Sequence, residues 1–520
     1  MATMSRQLLA CRSIALPRVS TLALAACSLC HGQVQAQELA TTLQPTSRLV
    51  PTLSVSESYL RTTNSTDGRD GGEFITRVSP GLSWTSRSGR VQGSVNYVMD
   101  ASVYSRRGGG ADISNNLAAN VKATLIDQRA FVDVQANVGQ TSVSAYGRQS
   151  GTDTFQVNAN RAEYSNVQVS PYVLGSLGGL ADYAVRLSGA ASSARGYSAS
   201  NTTNWSALAS LRSPGTQRVV GWGLSVQSSR TDYQFGRAIA TERAIAELNV
   251  KPWSDLLAFA TAGQEHTNAL DFNGRSYNTV GGGLRWTPSV RTNLGIEADR
   301  RYYGAGHRLI FEHRTPQTVW RYLDAQDSTE NTGLTALTPG FTLYQLYFQQ
   351  FASTVPDPIQ REQAVRDFLR LLGRNPNEVV SPGTLVSAAS LQRRQELSAA
   401  WVGRRTTLNL QAYVLDVRPL ASALAAAPVL EATRVRQNGL TASVSYRLTP
   451  QTSATVTGSR QVTPSSGLRI GNRLHTVSLG VTTQVTRQAS FGLNARYADF
   501  SSSTDPYREA LATATLSFRF

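Results

Sequence analysis

The sequence predicts an all-β protein: one large antiparallel transmembrane β-barrel with a single long, partly helical insert. Three observations carry this reading. Segment after segment alternates apolar and polar side chains with a period of two. The links between these segments alternate between tight proline turns and longer polar stretches. After the N-terminal region, no stretch of about 20 apolar residues occurs, as a helical span would require.

The strands come first. Residues 131–138 read FVDVQANV, with Val132, Val134, Ala136 and Val138 on one face. In residues 182–188, Tyr183, Val185 and Leu187 oppose Asp182, Arg186 and Ser188. Ala244, Ala246, Leu248 and Val250 stand against Glu247 and Asn249, and Leu294, Ile296 and Ala298 against Glu297 and Asp299. The clearest case sets Leu440, Ala442, Val444, Tyr446 and Leu448 against Thr441, Ser443, Ser445 and Arg447. Successive side chains of a strand point to opposite faces. A charge at every second position suits a wall with lipid on one side and a wet lumen on the other. The final residues, LATATLSFRF, put Ala512, Ala514, Leu516, Phe518 and Phe520 on one face. Phe518 and Phe520 are the candidate signal for the outer-membrane insertion machinery, which this ending implies as a partner.

The turns come next. Arg212-Ser213-Pro214-Gly215, Lys251-Pro252-Trp253-Ser254, Trp286-Thr287-Pro288-Ser289, Arg314-Thr315-Pro316-Gln317 and Leu448-Thr449-Pro450-Gln451 read as tight turns. Proline fixes φ and ends a ladder. Longer polar links cover residues 61–72, 141–161 and 420–433. Short turns on one rim and long loops on the other are the bacterial barrel pattern, with the short rim periplasmic. Counting hairpins from Leu49 to Phe520 gives about 22 strands, or 18 to 20 if marginal ones fail.

Composition agrees. The chain has 520 residues, is 41% hydrophobic, and has a mean hydropathy of −0.23. A barrel hides in such averages because half of each strand faces water. The net charge is +16, and Lys122 and Lys251 are the only lysines. A basic chain raises the question of nucleic acid, but the arginines are dispersed along strands and form no stripe. Nucleic acid is therefore not an expected partner. Outer-membrane lipid and lipopolysaccharide are, and arginines at the bilayer edges can snorkel to them.

The N-terminus reads as a targeting segment. Arg6, Arg12 and Arg18 supply positive charge, residues 19–30 a short apolar core, and Val34-Gln35-Ala36 a cleavage site. Cleavage between Ala36 and Gln37 makes residues 1–36 a signal peptide and 37–47 a short periplasmic leader before the barrel, 48–520. Leu24-Ala25-Ala26-Cys27 offers an alternative, a lipobox with a lipidated Cys27. All three cysteines lie in this segment, so cleavage after Ala36 leaves no thiol for a disulfide, a metal or a nucleophile.

Residues 327–382 break the alternation. Asp357-Pro358 reads as an N-cap followed by Pro at the first helical position. Val365, Phe368, Leu369 and Leu372 then share a helical face, and Gly373 fits the position after the helix. Such an insert is a constriction inside the lumen or a cap above it, or else a loop packing its own small core.

The stretch RVSPGLSWTSRSGRVQGSVNYVMDASVYSR, residues 77–106, resembles the PEP-CTERM-system-associated outer-membrane proteins. Residues 220–224 (VGWGL), residues 283–320, and Val355-Pro356-Asp357-Pro358, Arg361, Val365 and Phe368 are similar too. The similarity runs from about Val50 to Phe520. The resemblance implies a large outer-membrane barrel encoded near exopolysaccharide and exosortase genes, with exopolysaccharide and export proteins as partners. It carries over no activity and no functional residues.

No enzyme is expected. His307, Leu309, Phe311 and His313 share one strand face, which separates the two imidazoles by roughly 20 Å. They cannot share a metal. No G-x-S-x-G elbow and no metal-ligand spacing is present, and no cofactor is implied. Gly281-Gly282-Gly283 reads as a bend or a close approach within a strand. The candidate functional side chains are inward charges: Arg186, Arg243, Glu247, Arg285, Glu297 and Asp299. They line a lumen that guides a polymer or ions, or brace it by ion pairs. The leading expectation is a porin-like channel or export component. A non-conducting structural barrel of the export system is the alternative, and an outer-membrane enzyme the second alternative.

Overall fold

The computed structural model describes residues 47–63, 70–86, 89–106, 111–149, 160–196, 201–214, 219–234, 237–329, 389–420, 434–467 and 469–520, with Tyr347, Phe348, Phe351, Arg361 and Val365. Cys27, Ala36 and Gln37 lie outside the described residues, and so does most of the expected helix after Pro358. Of that helix, Arg361 and Val365 are described; both are helical, and Val365 is buried.

Twenty-two strands follow one another. The first eight are β1 (Ser47–Thr63), β2 (Gly71–Ser86), β3 (Val91–Tyr104), β4 (Asp112–Ile126), β5 (Ala130–Ser142), β6 (Arg161–Leu177), β7 (Ala181–Ala194) and β8 (Thr202–Arg212). Then come β9 (Val220–Tyr233), β10 (Ile239–Trp253), β11 (Leu256–Thr267), β12 (Arg275–Ser289), β13 (Thr292–Arg301), β14 (Gly304–Arg314) and β15 (Thr318–Thr329). The last are β16 (Ser390–Val402), β17 (Thr406–Pro419), β18 (Val435–Arg447), β19 (Thr452–Thr463), β20 (Asn472–Gln484), β21 (Ala489–Ser501) and β22 (Tyr507–Arg519). Each pairs antiparallel with the next, and β1 pairs with both β2 and β22. The sheet therefore closes on itself and leaves no open edge.

The two faces are chemically distinct. On β18, Val444 is 44% exposed and Ser445 4%. Ser445 Oγ lies 2.9 Å from Thr455 Oγ1 across the ladder. Val444 pairs in register with Leu408 and Val456, so the apolar face continues from strand to strand. Trp84, Trp222, Trp253, Trp286, Trp320 and Trp401 all sit close to short-turn ends of their strands. They form the aromatic girdle expected where lipid meets water.

Two turn assignments shift. Pro252 lies within β10 and Pro288 within β12, and the reversals come just after them. The register slips at both places, between Val250 and Trp253 and between Trp286 and Ser289. A bulge leaves an unpaired position, and proline, with no N–H to donate, fits there. β15 also runs on to Thr329, so Asp327 pairs with Gln392 in the ladder and does not open the insert. The glycine triplet of β12 is a close approach. A Cβ on Gly283 would lie 2.3 Å from the Ile296 carbonyl oxygen and 2.7 Å from the Phe259 ring.

Candidate functional site: the lumen and the segments that close it

The inner face changes along the barrel axis. On β10, Ile239 and Thr241 at the extracellular end are buried, while Glu247, further down, is exposed. On β11, Thr267 and Glu265 are buried, and Gly263, Thr261 and Phe259 are partly open. On β1, Thr62, Leu60, Ser58 and Ser56 are buried above the partly open Ser54 and Thr52. On β22, Tyr507, Glu509 and Leu511 are buried above the partly open Thr513, Thr515 and Ser517. The extracellular half of the lumen is packed, and the periplasmic half is partly open to solvent along these strands, apart from the buried Val50 at the foot of β1.

Apolar side chains make much of the packing. Leu60, Ile75, Tyr104 and Leu511 form one inward cluster, and Leu474, Ala498, Phe500 and Tyr507 another. The rings of Phe500 and Tyr507 stack with centroids 5.3 Å apart. A water-filled lumen would leave these side chains wet, at a cost that burial removes.

The link after β5 folds inward. Asn160 and Gln149 hold it in a tight turn: Asn160 Nδ2 donates to the Ser144 carbonyl at 2.8 Å, and so does Gln149 Nε2. From this turn the contacts reach strands distant in the ring. Tyr146 OH donates to the Arg434 carbonyl beside β18 at 2.9 Å. Asn472 Nδ2 on β20 donates to the Ala145 carbonyl at 2.9 Å. Tyr507 OH on β22 donates to the Gln149 carbonyl at 2.6 Å. Arg148 lies 3.6 Å from Asp505, with its guanidinium 4.3 Å from the centre of the Tyr507 ring. Ala145 and Tyr146 pack on Tyr413, Leu415, Val417 and Val435.

In a ring of 22, β6 and β17 are diametrically opposite. Strands about 4.8 Å apart and tilted by about 40° would make a round barrel of that size roughly 40 Å wide. Four residues of chain reach only about 14 Å, so Ser142 and the wall touched by Tyr146 stand much closer than that. The extracellular mouth is pinched there, and the turn fills the gap.

A second segment enters from the insert. Tyr347 is buried, and its hydroxyl meets Asn409 Nδ2. Asn409 lies near the periplasmic start of β17 and shares the inner face with Gln411 and Tyr413. Tyr347 therefore sits deep in the lumen. Around it, Ser398, Ala400, Thr407, Gln411 and Ser453 are buried, so the packed region extends downward along this wall.

The ladder register puts the six sequence-selected charges on the inner face but at different levels. Arg243 reaches Asp299 at 4.0 Å, in the packed half. They join a network absent from the sequence reading: Arg301 pairs with Glu265 at 2.5 Å and with Asp327 at 2.9 Å, and Tyr303 OH donates to Asp327 at 2.9 Å. Arg285 pairs with Glu297 at 2.9 Å; Arg285 is exposed and Glu297 half-buried. Arg186 pairs with Asp133 at 3.0 Å and covers the Tyr172 ring at 4.1 Å. Glu247 accepts from Asn249 Nδ2 at 3.3 Å. The buried pairs Arg394–Glu396 and Arg496–Glu509 likewise carry no signal in the sequence. The only sequence signal for the inward turn was Val143, Ala145 and Tyr146, an apolar trio in an otherwise polar link. At the other end of the chain, Phe518 shares the lipid face with Leu53 and Ala489, and Phe520 is exposed.

The histidines stay apart. His307 Nε2 lies 3.1 Å from Asp324 Oδ1, and His313 Nδ1 lies 3.0 Å from Thr292 Oγ1. Among the described residues, no group of three or more His, Cys, Asp or Glu side chains is placed to hold a metal ion.

A closed ring of antiparallel strands with an apolar outer band and a tryptophan girdle is the architecture of one compartment. The protein is a bacterial outer-membrane β-barrel. No protein-family model matches the chain, and no curated protein sequence is similar to it. Solved barrels are similar in fold. The FrpB iron transporter from Neisseria meningitidis is 10% identical, with 91% of this chain and 82% of that one covered and a TM-score of 0.48. The siderophore receptor PirA from Pseudomonas aeruginosa is 10% identical, with coverage of 92% and 81% and a TM-score of 0.42. OpdK from Pseudomonas aeruginosa, solved with vanillate, is 9% identical, with coverage of 91% and 99% and a TM-score of 0.34.

Proposed function

We propose that this barrel is a gated outer-membrane passage, a porin-like export component for exopolysaccharide or smaller polar solutes. The observation that carries the reading is the contrast within the lumen. Along strands such as β10 and β11, the inner face is wet at the periplasmic end and packed at the extracellular end. The turn at residues 143–149 supplies a movable stopper, held across the mouth by a few hydrogen bonds and one small apolar cluster. Each such hydrogen bond is worth only about 1 kcal/mol, so the stopper is held firmly enough to close and weakly enough to release. Hydroxyl and amide side chains such as Thr513, Ser517 and Asn494 suit a polar, sugar-like cargo, and the resemblance to PEP-CTERM-associated barrels points to exopolysaccharide. A non-conducting structural barrel is the second reading, favoured by the buried ion pairs that brace the packed half.

Planar-bilayer conductance tests the proposal. The intact protein should conduct poorly. Tyr146→Ala combined with Asn472→Ala should raise both conductance and open time. A variant that inserts and folds yet conducts no better than the parent would leave the structural reading in front.

A further inference from the structure

The outer wall carries a compact basic cluster above the apolar band of β16–β18. In one ladder row Arg393 stands beside Asp416, and Asp416 beside Arg436. Arg434 Nε donates to Asp416 Oδ1 at 2.9 Å, and Arg418 Nε donates to the same oxygen at 3.3 Å. Arg393 pairs with Asp324 at 2.8 Å. Asp416 thus holds two guanidiniums in place while the group as a whole stays cationic. Arg436 is exposed and has no ion pair among the described residues. Arg460 on β19 and Arg473 on β20 continue the arc and are likewise exposed and without an ion pair among them.

These side chains face lipid. Arg436 shares its face of β18 with Leu440 and Val444, and Asp416 shares its face of β17 with Leu410 and Val414. The apolar residues lie toward the periplasm, so the arginines stand where the hydrocarbon ends at the outer leaflet. Outward arginines also stand at the extracellular ends of other strands, Arg61 on β1, Arg230 on β9, Arg300 on β13 and Arg508 on β22, as snorkelling at a bilayer edge would place them. What sets the β16–β18 group apart is that Asp416 gathers Arg418 and Arg434 beside Arg393 and Arg436.

We propose that this cluster is a binding site for a lipid A phosphate of lipopolysaccharide, the anionic lipid of the outer leaflet. Guanidinium forks bind phosphate oxygens in pairs, with charge-assisted hydrogen bonds. Neighbouring strands lie about 4.8 Å apart, so the three strands present a row roughly 10 Å wide, the scale of a phosphorylated disaccharide headgroup. The acyl chains then lie on Leu410, Val414, Leu440 and Val444. Asp416 is a positioning residue that holds Arg418 and Arg434 toward the headgroup.

Native mass spectrometry of the full-length barrel tests the site, with bisphosphorylated and dephosphorylated lipid A as probes. The bisphosphorylated lipid should bind at least tenfold more tightly than the dephosphorylated one. Arg418→Ser with Arg434→Ser and Arg436→Ser should abolish that preference, while Arg436→Lys should keep part of it. Arg90→Ser with Arg129→Ser, at periplasmic turns, should leave it unchanged. Heat-modifiability of each variant confirms a folded barrel. Equal binding of both lipids, or an unchanged preference in the triple variant, would overturn the site. Displacement of lipid A by millimolar inorganic phosphate would also overturn it, by showing a site for soluble anions.

Discussion

The two halves of the lumen are built from the same strands and behave differently. On β11, Glu265 is fully buried, while Phe259, on the same face and roughly 20 Å lower along the strand, is partly open. In the upper half, inward arginines and carboxylates are paired out of water, as in Arg301–Glu265 and Arg496–Glu509. In the lower half, Arg285 and Glu297 pair in solvent, with Arg285 59% exposed. Strand chemistry is similar in both halves. What differs is what covers the wall: the turn at 143–149 and the inward apolar clusters lie at the extracellular end, and Tyr347 carries the cover downward along β16–β19 alone. A lumen side chain's energetic role is therefore set by the loop above it as much as by its own strand.

The largest expected effect comes from breaking one ion pair in each half. Arg301→Ala leaves the Glu265 carboxylate buried and uncompensated, which should destabilise the barrel by about 3–5 kcal/mol. Arg285→Ala leaves Glu297 in contact with water, and should cost only about 0–1 kcal/mol. Urea-induced unfolding from lipid vesicles measures both. Similar losses at the two sites would mean that the upper half is not dry.

An apolar pair sharpens the same contrast without charge. Ile75 is inward, fully buried and packed on Leu60, Tyr104 and Leu511. Leu208 is also inward, level in the ladder with Arg186 and Gln227, but it is exposed. Ile75→Ala should cost about 2–5 kcal/mol through lost burial and a residual cavity. Leu208→Ala gives up almost no burial and should cost well under that. If Leu208→Ala proved the more damaging, the division of the lumen into packed and wet halves would fail.

Much of the fold was legible because it repeats. Period-two alternation identified strands such as β18, and proline turns marked one rim, so a count near 22 needed no long-range information. Parity also separated Val444 from Ser445. Height in the lumen was not legible. Parity says which face Arg243 and Arg285 occupy, but not that one lies in the packed half and the other in water. The contacts that decide this join residues far apart in sequence, such as Gln149 with Tyr507 and Ala145 with Asn472. No local pattern encodes them. The insert at 327–382 is marked in the sequence by the break in alternation. The turn at 143–149 is short and lies in a polar link, and it reaches across the mouth with only Val143, Ala145 and Tyr146 to announce it.

The smallest expected effect concerns ions passing through the wet half. Once the stopper is released, the surfaces that ions meet are those already open to solvent, with Arg285 and Glu247 exposed and Arg186 and Glu297 half-buried. The packed network around Arg301 pairs both of its arginines with carboxylates, lies in the packed half and should contribute little. Lys122, Arg212, Arg308 and Arg447 are also inward and exposed, so basic side chains outnumber carboxylates on this surface and the released channel should favour anions. The preference should be modest, because the Debye length at 0.1 M salt is about 10 Å, short of the roughly 20 Å half-width of a round barrel of 22 strands. It should fade toward unity at 1 M, where that length falls to about 3 Å. Reversal potentials across a salt gradient measure it in the Tyr146→Ala, Asn472→Ala background. Adding Arg186→Gln and Arg285→Gln should lower the anion preference further. If it does not move, selectivity is not set by the wet half, and the charges that matter lie in the packed half.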